Sequence, residues 1–206
     1  FKNGQRHQLA ASAAAQARYL GRLIEAVFEL AKLQSPNYQL HLEPLSIAEA
    51  VQDIAMKFSV KATRQGVEIR IIGGEKHIHI LADVLLVERA LDNLIDNALR
   101  HAKGANEIAI HLVERASDVE ITISDNGNGL PKSVIDRMTE EMQGEPSYPG
   151  TSENGLGLGL NIVRRILELH GSHLELVKDR VKGTAFRFFL RKVDTFDLMT
   201  EHQVRA

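Results

Sequence analysis

The tightest constraint in this chain is a run of alternating glycines, ENGLGLGLNIV over residues 153–163. Gly155, Gly157 and Gly159 lead straight into Leu160, Ile162, Val163, Ile166 and Leu167, whose spacing is that of one helix face. Glycine costs roughly 1 kcal/mol against alanine inside a helix, so a helix entered this way needs a compensating reason for its start. Free backbone N–H groups at a helix start, on the positive end of the dipole, make an anion site whose usual guest is phosphate. A plain hinge is the other reading of the same residues. Two commoner phosphate motifs do not apply. The sequence holds no G-x-x-x-x-G-K-[ST], and the glycines neither follow a strand in a βαβ unit nor keep the G-x-G-x-x-G spacing.

Composition narrows the class without naming a function. A chain of 206 residues can form one sizeable domain plus an appendage. Its net charge of −2 gives no bulk electrostatic case for nucleic-acid binding. Cysteine is absent, which excludes disulfides and thiolate metal sites and fits a reducing compartment. No apolar run approaches the roughly 20 residues that span a bilayer. Because the chain begins on Phe1, it is expected to be part of a longer protein.

Along the chain, residues 6–34 read as one amphipathic helix. Leu9, Ala13, Ala17, Leu20, Ile24, Val27 and Ala31 keep the 3–4 spacing of a bundle seam that must be buried against another helix. Past Ser35, Pro36 and Asn37 the pattern becomes α/β. LHLEPLSI reads as a short strand, and SIAE at 46–49 is a capping box that opens a helix to about residue 65. VEIRII and HIHIL read as strands, Asp83 caps a long helix to about His101, and EIAIHLVER with VEITISD forms a hairpin. Residues 131–154 carry prolines, glutamates and little periodicity, the profile of a functional lid. The glycine-led helix then runs to about His170, followed by strands HLELV and TAFRFFLR and a patternless tail.

Two further features carry chemistry. On the long helix Asn93 and Asn97 are four apart and share a face. Asparagine is a mediocre helix former because its amide competes with the backbone. Its oxygen suits Mg²⁺ and its nitrogen suits phosphate oxygens, with Arg100 and His101 one turn on; a solvated polar edge is the alternative. In VEITISDNGNGL, strand alternation puts Asp125 on the buried row of Val119, Ile121 and Ile123. A carboxylate there needs a donor, and the amino group of a base would serve. Gly127 and Gly129 allow close approach of backbone to a flat ligand, although Asp-Asn-Gly is also ordinary turn chemistry.

In combination the order is an Asn-x-x-x-Asn helix, an Asp-x-Gly-x-Gly turn, a lid, a Gly-x-Gly-x-Gly helix start and KGTAF before a last strand. Over residues 40–191 this resembles the ATP-binding catalytic domain of bacterial two-component sensor histidine kinases, a GHKL (Bergerat-type) ATPase fold shared with type II topoisomerases. The resemblance implies an α+β fold, a two-layer α/β sandwich of mixed sheet on helices, preceded by an N-terminal bundle helix. It implies three regions: 1–36 as part of a dimerisation and phosphotransfer hairpin, 37–192 as the catalytic domain with its lid at 131–154, and a tail at 193–206. It also implies ATP and Mg²⁺, with Asn97 ligating the metal and Asn93, Asn97 and Arg100 catalytic. Arg100 and His101 would lie near the phosphates. Asp125 would bind the adenine amine beside Gly127, Gly129 and Leu130. Gly155, Gly157, Leu158 and Gly159 would form the phosphate loop, with Thr184 backing the base. The partners implied are the protein's own dimerisation domain, in a homodimer, and a response-regulator receiver domain. The setting implied is the cytoplasmic part of a membrane-anchored sensor, with no membrane contact by this stretch.

The chain departs from that pattern twice. His7, the histidine of the N-terminal helix, is followed by Gln8 and not an acidic residue. It also lies only about 25 residues before the helix end, too few for a hairpin of two helices. The phosphoacceptor is therefore expected upstream, and His7 reads as a solvated helix-start residue. In the lid, MTEEMQGEPSYPG replaces the family's Phe-x-Pro-Phe-like segment, leaving packing to Met138, Met142 and Tyr148. His77 and His79 alternate on a strand and read as exposed or satisfied. Other functions stay open: a GHKL-type ATPase without histidine phosphotransfer, using Glu88 or Asp92 as base; a degenerate nucleotide-binding partner module; and an anti-sigma-factor serine kinase.

Overall fold

The computed structural model describes residues 2–74, 78–101, 103–143, 157–177 and 182–193. Gly155, His77, Tyr148, residues 144–154 of the expected lid, residues 194–206 of the tail and the side chain of His7 lie outside the described set. The chain forms two compact units, Phe1–Tyr38 and Gln39–Ala206.

The first unit is helix α1 (Lys2–Leu33), four residues longer at its start than the periodicity suggests. Of its expected seam, Leu20, Ile24 and Val27 are 56%, 57% and 43% exposed, so among the described residues nothing covers this part of the stripe. Among the described residues no helix is long and apolar enough to cross a membrane.

The second unit runs β1 (Glu43–Ser46), α2 (Ile47–Arg64), β2 (Glu68–Gly73), β3 (His79–Ala82), α3 (Val84–His101), β4 (Glu107–Glu114), β5 (Asp118–Asp125), α4 (Lys132–Gln143), α5 (Leu158–Leu169), β6 (Glu175–Leu176) and β7 (Ala185–Arg191). Five strands form one mixed sheet in the order β2-β4-β5-β7-β6, in which only β2 and β4 pair in parallel. β1 and β3 make a separate antiparallel pair. Alternation buries Val119, Ile121 and Ile123 of β5; Leu112 and Ile110 of β4 stand opposite the last two, and Leu190, Phe188 and Phe186 of β7 stand opposite all three in turn. The apolar stripes of α3 (Leu91, Leu94, Ile95) and α5 (Ile162, Val163, Ile166) close this core, giving the expected α+β architecture of sheet on helices. Each such side chain contributes about 1.5–3 kcal/mol by burial. Five buried side chains on α5 thus outweigh the cost of Gly159, the glycine within it.

Capping follows the sequence closely. Ser46 Oγ accepts from Glu49 N–H at 3.4 Å at the start of α2. Asp83 Oδ1 accepts from Leu86 N–H at 3.3 Å at the start of α3.

The weakly structured lid expected over 131–154 needs correction, because its first half is helix α4. Val134, Ile135, Met138 and Met142 fall at helical spacing and Met138 is buried. Pro131, a sequence break, in fact supports the first turn, its carbonyl accepting from Val134 and Ile135 N–H at 2.9 and 3.1 Å. Strand HLELV also shrinks to two residues, Glu175 and Leu176.

Candidate functional site

Asp125 ends β5 with its side chain buried on the core face, as the alternation requires. Its donors, however, come from the backbone. Oδ1 accepts from Gly127 N–H at 2.8 Å and Oδ2 from Thr184 N–H at 3.1 Å, while the Asp125 N–H donates to Thr184 O at 2.9 Å. Each carboxylate oxygen keeps further lone-pair capacity for a ligand N–H. The charge is thus held in place before any ligand arrives.

Thr184 sits beside Asp125 because Gly183 lets two backbones meet. Gly183 has φ +74°, and a Cβ there would stand 1.8 Å from the Asp125 carbonyl oxygen. Gly129, at φ +72°, has room for a Cβ only 3.1 Å from Gly183 O. Gly127 is buried and Leu130 half-buried in the same turn.

Two residues of this turn escape a motif-based reading. Asn126 Oδ1 accepts from Asn106 and Glu107 N–H at 3.0 and 3.1 Å, and its Nδ2 donates to Asn106 Oδ1 at 2.6 Å. Asn128 N–H donates to Lys103 O at 3.0 Å, tying the turn to the chain just past α3. The Asn-Gly pairs were visible in the sequence, but their partners lie some twenty residues away.

On α3, Asn93 and Asn97 are half-buried on one edge, as their spacing predicts. Asn93 Nδ2 donates to Arg89 O at 2.8 Å. Its oxygen faces α5, since a Cβ on Gly159 would come 3.0 Å from Asn93 Oδ1. The Asn97 amide makes no hydrogen bond among the described residues and stays available. Arg100 is exposed and pairs with Asp96 at 2.6 Å; His101 is exposed at the helix end.

The start of α5 follows directly on Gly157, the first described residue after 143. Gly157 is the N-cap, without a side-chain cap, and its carbonyl accepts from Leu160 and Asn161 N–H. Leu158 and Gly159 form the first turn. The far end of α5 is fastened to the start of α3. The backbone N–H of Asp83 can only donate and the Ile166 carbonyl can only accept. His170, with Nε2 3.0 Å from the former and Nδ1 2.7 Å from the latter, must therefore be the neutral Nδ1–H tautomer. This brace between both site helices has no motif spacing to announce it.

α3 therefore meets the start of α5 through Asn93 and the Asp125 turn through Lys103, so the three sequence features surround one region. It offers a buried carboxylate, backbone N–H groups at a positive helix end, two amides and a cation. Among the described residues no group of three or more His, Cys, Asp or Glu side chains could hold a metal. Asn97 offers one free amide oxygen, which fits a Mg²⁺ ion that takes its remaining ligands from phosphates and water.

A family profile described as histidine kinase-, DNA gyrase B- and HSP90-like ATPase matches residues 82–194. The chain is 27% identical over 193 residues to the adaptive-response sensory kinase SasA of Synechocystis sp., covering 92% of this chain and 49% of that protein. It thus spans about half the length of that curated relative. Among solved structures, full-length ShkA in complex with AMPPNP superposes with a TM-score of 0.72 at 23% identity, covering 86% of this chain and 37% of that one. Histidine kinase ThkA in complex with response regulator protein TrrA gives 0.68 at 20% identity, covering 86% and 49%.

Proposed function

The chain belongs to the histidine kinase-, DNA gyrase B- and HSP90-like ATPase family, and from that membership we propose that it is the ATP-binding catalytic part of a sensor histidine kinase. The substrate is Mg²⁺-ATP, and the γ-phosphoryl group goes to a histidine of the dimerisation domain for relay to a response-regulator aspartate. One observation carries the reading: the preset Asp125 carboxylate, held by Gly127 and Thr184 N–H, lies in the same region as an uncapped, glycine-led helix start. The first suits an adenine amine and the second suits phosphates. SasA is named a sensory kinase, ShkA is seen with AMPPNP and ThkA with a response regulator, which supports the same assignment.

In this reading Asp125 accepts from the exocyclic amine, and Gly127, Gly129, Leu130 and Thr184 shape the base pocket. Gly155, Gly157, Leu158 and Gly159 hold phosphate oxygens. Asn97 holds the metal, Asn93 steadies it, and Arg100 and His101 approach the phosphate tail. Mg²⁺, when bound, neutralises charge on the transferring phosphates. The protein's own contribution is positioning and fixed dipoles. Hydrolysis through Asp92 is disfavoured, because its Oδ2 is committed to Lys57 Nζ at 2.5 Å, toward α2.

Calorimetric titration of Mg²⁺ with a non-hydrolysable ATP analogue tests the assignment. Binding should weaken at least tenfold in Asp125→Asn, which loses a charge-assisted hydrogen bond worth about 1.5–3 kcal/mol. It should lose its Mg²⁺ dependence in Asn97→Ala. Absence of binding by the unmodified chain would sink the kinase reading and favour a degenerate partner module.

A further inference from the structure

The Asp96 carboxylate is shared between two cations. Its Oδ2 pairs with Arg100 Nη2 at 2.6 Å along α3, and its Oδ1 makes a short contact with Lys61 Nζ, reaching across from α2. Lys61 is itself steadied by the Phe58 ring, 5.7 Å from its ammonium. One turn earlier Lys57 and Asp92 repeat the cross-helix contact, so Lys61 is set by a two-rung ladder and not by a chance surface approach. The Arg100 side chain is 50% exposed, while Asp96 is 29% exposed.

Asn93, Asn97 and Arg100 stand at i, i+4 and i+7, one face of α3. A phosphate tail that runs from the α5 start past Asn93 and Asn97 reaches Arg100 next. In the structure, however, Arg100 already has an anion. Releasing it would strand a carboxylate beside an incoming polyanion, unless that carboxylate keeps a partner. Lys61 is that partner.

We propose that Asp96 and Lys61 form a holding device for Arg100. Asp96 parks the guanidinium when the site is empty and competes with phosphate for it. Lys61 takes over the Asp96 charge when Arg100 turns to the triphosphate. Both are positioning residues, neither touching the nucleotide, and the inference rests on the nucleotide reading above.

A titration series on the 206-residue chain tests this. Mg²⁺ with the non-hydrolysable ATP analogue, and adenosine alone, are titrated into the unmodified chain, Asp96→Asn, Lys61→Met, Arg100→Ala and both double variants with Arg100→Ala. Asp96→Asn should tighten the triphosphate by about two- to fivefold, the range expected for losing one exposed competing pair, and leave adenosine unchanged. The gain should vanish when Arg100 is alanine. Lys61→Met should weaken the triphosphate, and more so with Arg100 present than without, the excess being the coupling that bare loss of a cation cannot produce. Weaker binding in Asp96→Asn, or changes equal with and without Arg100, would overturn the proposal while the nucleotide reading stands. Failure of the unmodified chain to bind either ligand would overturn both.

Discussion

Single residues separate what the fold needs from what a ligand needs, and the glycines do so most cleanly. A Cβ on Gly183 would collide with the Asp125 carbonyl at 1.8 Å, at a φ of +74° that L-residues rarely adopt. Backbone stands on both sides of that clash, so no rotamer relieves it. A Cβ on Gly157 meets nothing within 4 Å among the described residues. Gly159 lies between these cases, since its Cβ would press on the Asn93 amide at 3.0 Å. Gly183→Ala should therefore cost more than about 3 kcal/mol, and Gly157→Ala should stay within about 1 kcal/mol of the unmodified chain. Gly159→Ala should be near neutral for stability, as the helical gain of alanine offsets the contact, yet it should weaken nucleotide binding by moving Asn93. Thermal melts alongside the titrations decide this; a Gly183→Ala chain as stable as the parent would mean that the two backbones do not meet as described.

Among the elements, legibility tracked the strength of the local period. The β4–β5 hairpin, the Asn helix α3 and the capped α2 were readable because alternation or helical spacing and cap residues agreed there. α4 was hidden because Pro131 and a cluster of glutamates read as loop, although Val134, Ile135 and Met138 carried the helical face. The Asp-Asn-Gly turn announces Gly127 as one partner, but the second partner of Asp125 was not readable. Thr184 N–H reaches its carboxylate across a sequence separation of 59, a consequence of β5–β7 register that no local pattern encodes. β6 shows the same limit, being two residues fastened to β7 by side chains. Arg187 Nε and Nη2 donate to Glu175 Oε2 at 2.9 and 2.7 Å, and His173 Nε2 lies 2.8 Å from Oε1. Burial pushes the Glu175 carboxyl up, but the hydrogen bonds from Arg187 and His173, with the charges of both, outweigh it and hold it below the ordinary glutamate value. A carboxyl depressed in the folded state contributes stability above its unfolded pKa and loses it as pH falls through the folded value. The Tm difference between the parent and Glu175→Gln should thus be full at neutral pH and shrink on acidification below the carboxylate range. A difference constant across that range would mean that the pair contributes through packing alone.

For the molecule as a whole, the question is whether binding and transfer reside in the same stretch of chain. Every described residue of the candidate site belongs to the unit Gln39–Ala206, while His7 lies on α1 in the other unit. Transfer of a phosphoryl group needs a nucleophile in line with the γ-phosphate. Within the site-bearing unit, both His170 nitrogens are committed, and His173 is engaged by Glu175. His101 is exposed at the end of α3, next to Arg100, where the proposed function gives it a phosphate-contacting role. His7 lacks the acidic neighbour of the family's acceptors. The chain should accordingly bind Mg²⁺-ATP without labelling itself. Incubation with γ-labelled ATP, followed by a search for acid-labile, alkali-stable phosphate, measures this directly. Binding without label would mean that these 206 residues hold the nucleotide site and no working acceptor histidine of their own. Stable label on His7 or His101 would instead locate the acceptor within them and join the two halves of the reaction in one chain.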